Sequence, residues 1–320
     1  MLKAIVRRLL ILIPQIIALS IVVFIIAHFM PGDALSGLYD QDMREEDIAY
    51  IRHSMGLDRP MTVQYLNWVL GLFRFDFGRS FHTHRPVLDV IGERAANTFR
   101  LSLLTTIFMY LIAIPLGMVA GRYKEKFVDK LIVFYTFFAI AVPTMLFAII
   151  NLWLFSFRLE WFPLLGSADP MHTTGTLAFH LSKLHHLILP AFTGALLFTV
   201  GTINILRNQI IENENADFVV TARSKGAPRR AIYNRHILKN ASLPVVAGFG
   251  SAITGLLGGN IFIEKVFSFP GMGQLFVSSV ITRDYPVVNT LVMIYGVLIV
   301  VGVLLSDVFM MILDPRIRVK

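Results

Sequence analysis

The amino-acid sequence predicts an all-α integral membrane protein with six transmembrane helices. The first observation is its composition: 55% of the 320 residues are hydrophobic and only 16% are charged, whereas soluble proteins average roughly 45–50% apolar and about 25% charged residues. The second is that the apolar residues are gathered into six long stretches. The third is that the segments between these stretches alternate in charge along the chain.

Each apolar stretch is about long enough to cross a bilayer of roughly 30 Å, which needs about 20 helical residues. The first stretch follows Lys3, Arg7 and Arg8 but is longer than the core of a signal peptide and lacks a small-residue cleavage pattern after it, so we expect it to be retained. The six predicted spans are Leu9–Met30, Leu101–Gly121, Leu131–Phe157, Leu187–Leu206, Val245–Ile263 and Val287–Met311.

The charges between the spans predict the topology. With the N-terminus inside, the inner segments carry 17 Lys and Arg against 7 acidic residues, if Asp307 near the inner end of the sixth span is counted with them, and the outer segments carry 12 against 14. Because basic residues are enriched on the cytoplasmic side, we expect both termini in the cytoplasm. The net charge of +8 then reflects topology, and no nucleic-acid partner is predicted.

Three regions follow from this topology: an N-terminal transmembrane helix (1–30), an extracytoplasmic helical segment (31–97) and a core with five spans (98–320). In the second region, Asp42 and Glu45 resemble a capping box, and Gly56 is placed to end the helix that follows. A second amphipathic helix is expected after Pro60 from the spacing of Val63, Leu66, Val69, Leu72 and Phe73. The region either packs on the membrane domain as a cap or docks an external partner.

The sequence predicts no catalytic residues, no metal site and no cofactor. It has no cysteine, no phosphate-binding loop of the form G-x-x-x-x-G-K-[ST], no H-E-x-x-H and no G-x-S-x-G. The outer histidines His180, His185 and His186 have the wrong spacing for ligands on one helix face. Transport against a gradient would therefore require energy from another protein, delivered through a loop.

The longest inner loop, 207–240, is the candidate for that input. Asp217 near the start and Lys225 near the end suit the dipole of a short helix, Gly226 can close it in a left-handed turn, and Pro228 can begin the next helix. We expect two short helices around a sharp corner. The first helix either lies on anionic headgroups or inserts into a groove of a cytosolic motor protein.

The loop resembles the cytoplasmic E-A-A-x-x-x-G segment of permease subunits of ABC importers, with Val220 and Thr221 in place of the first two letters. The chain is similar to the B-type permeases of oligopeptide, dipeptide and nickel importers, although Phe75 replaces the usual glycine before Asp76. The matching segments are Pro31-Gly32-Asp33, Gly56-Leu57-Asp58-x-Pro60, Phe77-Gly78-Arg79-Ser80, Asp217-Phe218-Val219-x-Thr221-Ala222-Arg223-x-Lys225-Gly226, Arg235-His236, Gly258-Gly259, Glu264-x-Val266-Phe267-x-x-Pro270-Gly271-x-Gly273, Arg283-Asp284-Tyr285-Pro286 and Asp314-Pro315-Arg316.

The resemblance implies the type I ABC importer permease fold in a bacterial plasma (inner) membrane. It also implies a heterodimer with a homologous second permease subunit, two cytosolic ABC ATPase subunits and an extracytoplasmic solute-binding protein. The expected cargo is a peptide, with nickel or another small solute as the alternative. The residues that the resemblance assigns to coupling with the ATPase are Asp217, Phe218, Thr221, Ala222, Lys225 and Gly226.

A second candidate site lies just after the fifth span. Gly258-Gly259 and Pro270-Gly271 favour a broken or re-entrant turn beside a cavity. This stretch is either a structural turn between the last two spans or a gate that contacts solute or its binding protein. The candidate residues are Glu264, Phe267, Pro270 and Gly271. Rival functions from other classes are an intramembrane enzyme, a metal-binding receptor and a membrane-anchored sensor.

Overall fold

The computed structural model describes residues 2–29, 45–54, 56, 58–256, 258 and 260–313. Within these residues the ordered elements are helical, apart from one isolated antiparallel bridge between Arg79 and Pro86. The all-α fold class is therefore confirmed. The helices are α1 (Leu2–His28), α2 (Glu45–Ser54), α3 (Met61–Phe73), α4 (Val87–Arg122), α5 (Phe127–Ala141), α6 (Thr144–Asn151), α7 (Leu177–Glu214), α8 (Asp217–Ser224), α9 (Arg229–Ala231), α10 (Leu238–Ala241), α11 (Leu243–Ala247), α12 (Phe249–Gly255), α13 (Ile261–Val266), α14 (Met272–Ile281) and α15 (Tyr285–Leu313).

Helices α4, α7 and α15 are each long and apolar enough to cross a membrane. Helices α5 and α6 together meet the same test as a bent pair, which raises the number to four within the described part of the chain. The first predicted span coincides with α1, whose apolar part is Leu10–Ile26. These helices are consistent with the predicted membrane architecture.

The third predicted span, Leu131–Phe157, is two helices rather than one. The chain bends by 104° between α5 and the segment Thr144–Arg158, which ends in the π-helical turn Leu152–Arg158. Pro143 permits the bend, because its ring favours the extended conformation that the preceding Val142 adopts (φ −83°, ψ 123°) and its nitrogen cannot donate to the helix.

The fifth predicted span, Val245–Ile263, is also divided. Helices α11 and α12 cover its first part, and α13 begins only at Ile261 after a break that contains Gly258. The break predicted at the glycine pair is confirmed at Gly258, while Gly259 lies outside the described residues. Between α12 and α13 the backbone therefore leaves the helical path close to the second candidate site.

Small residues bring the central helices together. On α4, a Cβ added at Gly121 would lie 2.7 Å from Ile210 Cβ on α7, and one added at Gly117 would lie 3.0 Å from Leu206 Cβ. The same close approach joins α12 to α15, where a Cβ at Gly250 would lie 2.2 Å from the backbone nitrogen of Ser306. Hydrophobic burial does not drive helix association in lipid, because the lipid chains are themselves apolar. Close van der Waals contact between such small residues stabilises the interface instead.

The outer segment contains the two predicted helices, α2 and α3. Gly56 follows the end of α2 and adopts a left-handed conformation with φ 67°. Helix α3 begins directly after Pro60. Asp42, which supported the prediction of α2, lies outside the described residues, as do Pro31-Gly32-Asp33 and Asp314-Pro315-Arg316. Helix α3 packs against α1, since Tyr65 Oη lies 2.8 Å from Ser20 Oγ.

Two of the recognised segments, far apart in sequence, meet at the start of α15. Ser80, which is 1% exposed, donates its hydroxyl to the carboxylate of Asp284, which is 3% exposed. The backbone nitrogen of Phe81 donates to the same carboxylate at 3.0 Å. This contact joins the loop before α4 to the N-terminus of the last span.

Candidate functional site

The corner after α8 has the geometry predicted for it. Helix α8 ends at Ser224, and the chain then turns at Gly226, whose φ is 74°. The turn is closed by backbone hydrogen bonds from Gly226 to Arg223 O (2.9 Å) and from Ala227 to Ala222 O (3.2 Å). Pro228 precedes α9, so the two short helices around a corner are confirmed.

One face of α8 is buried in the chain itself. Val219 is 0% exposed and Ala222 is 9% exposed, and both belong to an apolar cluster at the end of α7. Ala222 was expected to allow close approach by a partner, but its side chain points into this cluster and supports the helix from beneath. The other buried members are Leu206, Ile210, Ile232, Ile237, Ala241 and Val245.

The opposite face of α8 is exposed. Phe218 is 37% exposed and Val220 is 52% exposed. Val220 was not among the predicted contact residues, although it lies in the same motif. The hydroxyls of Thr221 and Ser224 donate to backbone carbonyls one turn earlier, at 2.9 and 3.1 Å, so they do not need water or a partner. Because Phe218 and Val220 are about 160° apart around the helix axis, they lie on the two flanks of the exposed face, and Asp217, Thr221 and Ser224 lie between them.

The corner is joined to the two longest helices of the chain. Helix α7 ends at Glu214, only three residues before α8 begins. Tyr233, on the π-helical segment Ile232–Ile237, donates its hydroxyl to Met118 O of α4 at 3.0 Å, and the guanidinium of Arg122 lies 5.0 Å from the centroid of its ring. A displacement of α8 therefore acts on both α4 and α7.

The second candidate site is organised around one buried carboxylate. Glu264 is 0% exposed; it accepts a hydrogen bond from Thr98 Oγ1 at 2.9 Å and another from the backbone nitrogen of Gln274 at 2.9 Å. The Thr98 hydroxyl oxygen in turn accepts from the backbone nitrogen of Met272 at 2.7 Å. Glu264 and Thr98 thus satisfy the free N–H groups at the start of α14, where a negative group is favoured.

Gly271 leaves the space that this carboxylate occupies. A Cβ at this position would lie 2.4 Å from Glu264 Cδ. Phe267 is 2% exposed, and the carbonyl oxygen of Pro270 accepts from Asn97 Nδ2 at 3.0 Å. The structure therefore brings all four candidate residues into one buried turn. Asn97 and Thr98, which hold this turn from α4, have no local signal in the sequence.

The two candidate sites contact different parts of α7. Gly194, near the middle of α7, faces Ile263 next to the turn that contains Glu264, whereas Leu206 and Ile210, nearer its C-terminus, form part of the cluster under α8. At 1.5 Å per residue, these positions are separated by roughly 20 Å along the helix. The sites are thus mechanically connected by α7 but do not form one pocket.

Comparison with known proteins gives the family. Residues 113–319 match the family described as binding-protein-dependent transport system inner membrane component, and residues 1–102 match the N-terminal component of such systems. The chain belongs to this family. Its members are permease subunits of transporters rather than enzymes.

Several relatives match over nearly the whole chain. The oligopeptide transport system permease protein AppB of Bacillus subtilis is 36% identical over 315 residues, which cover 98% of both chains. A putative peptide transport system permease protein of Brucella abortus is 33% identical and covers 96% of both. The glutathione transport system permease protein GsiC of Salmonella typhimurium is 31% identical and covers 100% of both.

The permease also has a largely buried ion pair between α5 and α7. The guanidinium of Arg207 on α7 donates to both carboxylate oxygens of Asp129 on α5, from Nε at 2.7 Å and from Nη2 at 2.8 Å. The Asp129 side chain is 3% exposed and that of Arg207 is 22% exposed. The backbone nitrogen of Glu125 donates to the same carboxylate at 2.8 Å. This bidentate pair fixes the start of α5 to the part of α7 that leads into α8.

Replacement of Asp129 by Asn should destabilise the permease by about 2 kcal/mol, because removing one partner leaves the other charge buried and unpaired. The exposed pair between Arg85 and Glu93 (2.6 Å) provides a matched control: Glu93→Gln should leave the thermal stability nearly unchanged. The measurement is the thermal stability of the purified protein in detergent. Equal losses in both variants would contradict a special role for the Asp129–Arg207 pair.

A cleft of about 760 Å³ is lined by the loop that precedes α7 and by the first turns of α7, and it contains His172, His185 and His186. His185 Nε2 lies 3.0 Å from Trp161 O, and His186 Nδ1 lies 2.8 Å from Ser182 O. No group of three or more side chains in the described part of the chain is arranged to hold a metal ion. These histidines take part in the hydrogen bonding of the loop.

Proposed function

We propose that this permease is a subunit of an ATP-driven ABC importer and forms half of a translocation pathway for peptides. The relatives reported above are named for oligopeptide, peptide and glutathione transport, which favours a peptide cargo over nickel or another small solute. In this proposal the chain itself hydrolyses nothing, and partner subunits supply the energy.

The proposed assembly contains a homologous second permease subunit, two cytosolic ABC ATPases and an extracytoplasmic solute-binding protein. It lies in the bacterial plasma membrane with both termini in the cytoplasm, as the charges of the loops favour. The region 31–97 then faces outward, and the loop 207–240 faces the ATPases. Asp217, Phe218, Thr221, Lys225 and Gly226 form the surface or the corner that meets an ATPase, while Ala222 packs beneath it.

One observation carries this proposal. Helix α8 is anchored by Val219 and Ala222 on its inner face, while Phe218 and Val220 are exposed on the two flanks of its outer face, with Asp217, Thr221 and Ser224 between them. An exposed short helix with apolar flanks and small polar residues between them can dock in a groove of a partner protein. Closure of the ATPases would move α8 together with α4 and α7, and would favour the outward-facing state of the permease to the extent that the ATPases bind that state more tightly.

The proposal predicts that an added charge on the exposed face of α8 abolishes coupling. Phe218→Asp should lower ATP-driven peptide uptake at least roughly tenfold, since a charge buried in an apolar groove loses several kcal/mol of hydration. Asn234→Asp is the control, because it adds the same charge at an exposed position on the neighbouring segment Ile232–Ile237. The measurements are peptide uptake into membrane vesicles and the amount of ATPase that co-purifies. Normal uptake and co-purification with Phe218→Asp would refute the proposed role of α8.

The proposed topology has its own test, which the absence of cysteine makes simple. Single cysteines at Asn67 and Asn234 should react with a membrane-impermeant maleimide from opposite sides. Asn67→Cys should be labelled in right-side-out vesicles, and Asn234→Cys in inside-out vesicles. Labelling of Asn67→Cys from the cytoplasmic side alone would overturn the topology.

A further inference from the structure

Helix α3 has three distinct faces. Tyr65 and Trp68 lie on the face that contacts α1. Leu66, Leu70 and Phe73 fall within about 60° of one another on a second face, as follows from a rotation of about 100° per residue. They are 58%, 54% and 81% exposed. The third face, about 130° away from this stripe, carries only Gln64, Asn67 and Gly71. The exposed stripe is therefore apolar, although α3 belongs to a segment predicted to lie outside the membrane.

The contacts with α1 show the depth at which α3 lies. Tyr65 Oη is 2.8 Å from Ser20 Oγ, and the Trp68 ring centroid is 5.8 Å from that of Phe24. Ser20 and Phe24 precede the end of α1 by eight and four residues, which correspond to roughly 12 and 6 Å along its axis. Both positions belong to the apolar part of α1, Leu10–Ile26. Helix α3 therefore packs on the spanning helix below its outer end.

Helix α1 also carries exposed apolar residues directly beside the side chains that contact α3. Ile21 and Ile25, which follow Ser20 and Phe24 in the chain, are 41% and 40% exposed. These residues of α1 lie at the depth of the hydrocarbon region, and the apolar stripe of α3 lies at the same depth. Lipid chains therefore suit both surfaces. Arg59 and Arg74, both exposed, bracket α3 at its two ends, where phosphate groups would lie.

The corner after α3 provides a second, independent observation. Phe75 has φ 57°, which is the left-handed conformation that a glycine adopts without strain, and its side chain is 74% exposed. An L-residue in this region costs roughly 1–2 kcal/mol. A large aromatic side chain held outward at such a position is explained if burial of its ring in an apolar phase offsets the strain.

We propose that α3 is an interfacial helix that lies in the outer leaflet, with Leu66, Leu70, Phe73 and Phe75 among the lipid chains and the face of Asn67 toward water. This places α3 in the bilayer rather than in a soluble cap or on a docked protein. It rests on the topology proposed above, in which this region is extracytoplasmic. Its consequence is a lateral anchor that holds the outer end of α1 through Tyr65 and Trp68.

The test uses single cysteines at Leu66, Leu70 and Phe73, with Asn67→Cys as the control on the polar face. In right-side-out vesicles containing the complete transporter, the three stripe cysteines should react with an impermeant maleimide roughly tenfold more slowly than Asn67→Cys, since they lie below the headgroups. An environment-sensitive fluorophore at Leu70→Cys should be quenched by phospholipids that carry a nitroxide on the acyl chain. The same fluorophore at Asn67→Cys should not be quenched.

Each alternative gives a different result. Rapid labelling at all four positions would show that α3 is in water, and the proposal would be wrong. Protection without quenching by nitroxide lipids would show that a protein covers the stripe, and protection that appears only with the solute-binding protein would identify that protein as the cover. Labelling of Asn67→Cys only from the cytoplasmic side would instead reject the topology, so the two failures are distinguishable.

Discussion

Gly271→Ala should destabilise the permease by about 3 kcal/mol, which is the upper part of the range for overpacking a buried site. The added methyl group would lie 2.4 Å from Glu264 Cδ. The carboxylate cannot withdraw without losing its hydrogen bonds from Thr98 and from the backbone of Gln274, which are needed at the start of α14. The thermal stability of the purified protein and the amount inserted in the membrane measure the effect.

Gly201→Ala is the matched control, because a Cβ at Gly201 on α7 would have no neighbour within 4 Å. This substitution should be neutral or slightly stabilising, since alanine is the better helix former. Glu264→Ser combined with Gly271→Ala should lose less stability than the sum of the two single changes, because the shorter side chain leaves room for the methyl group. Strict additivity would show that the two residues do not collide.

Gly226→Val should abolish most ATP-driven uptake and leave the protein inserted and folded. Here the cause is conformational, because a Cβ at Gly226 would have no neighbour within 4 Å but φ is 74°. A β-branched residue is strongly disfavoured in this region, and a cost of roughly 1–2 kcal/mol is enough to shift the corner to another geometry. Uptake and ATP hydrolysis, measured together in vesicles with the partner subunits, should become uncoupled.

Gly226→Asn is the control for this effect, since asparagine visits the left-handed region more readily than other residues with a side chain. It should keep a substantial part of the uptake that Gly226→Val loses. If both variants transported normally, the left-handed corner would have no part in coupling. If both failed equally, the loss of function would arise from the added side chain at the ATPase contact instead of from the backbone.

The sequence was sufficient where the signal is local. The apolar length of α4, α7 and α15, the helix end at Gly56 and the left-handed corner at Gly226 all depend on residues close to one another in the chain. The family, too, could be recognised from short segments spread along the chain, and the match over residues 1–102 and 113–319 confirms it.

The bends of two spans were less predictable. Pro143 lies inside an apolar stretch in the same way as Pro115 of α4 and Pro190 of α7, yet only Pro143 divides its span, while α4 and α7 remain continuous helices. A proline permits a bend, but the packing of neighbouring helices decides whether the backbone takes it. Periodicity alone could not distinguish these cases.

By itself, the sequence determined that the chain is a helical membrane protein with a sharp corner at Gly226, because hydrophobic length and turn preferences act over a few residues. Only the tertiary structure decided that Ala222 faces inward and that Glu264 accepts a hydrogen bond from Thr98, which lies 166 residues earlier in the chain. The same holds for the hydrogen bond that Ser80 donates to Asp284. These contacts join side chains that are remote in the chain. They exist only once helix packing has brought their backbones together, so no local pattern can encode them.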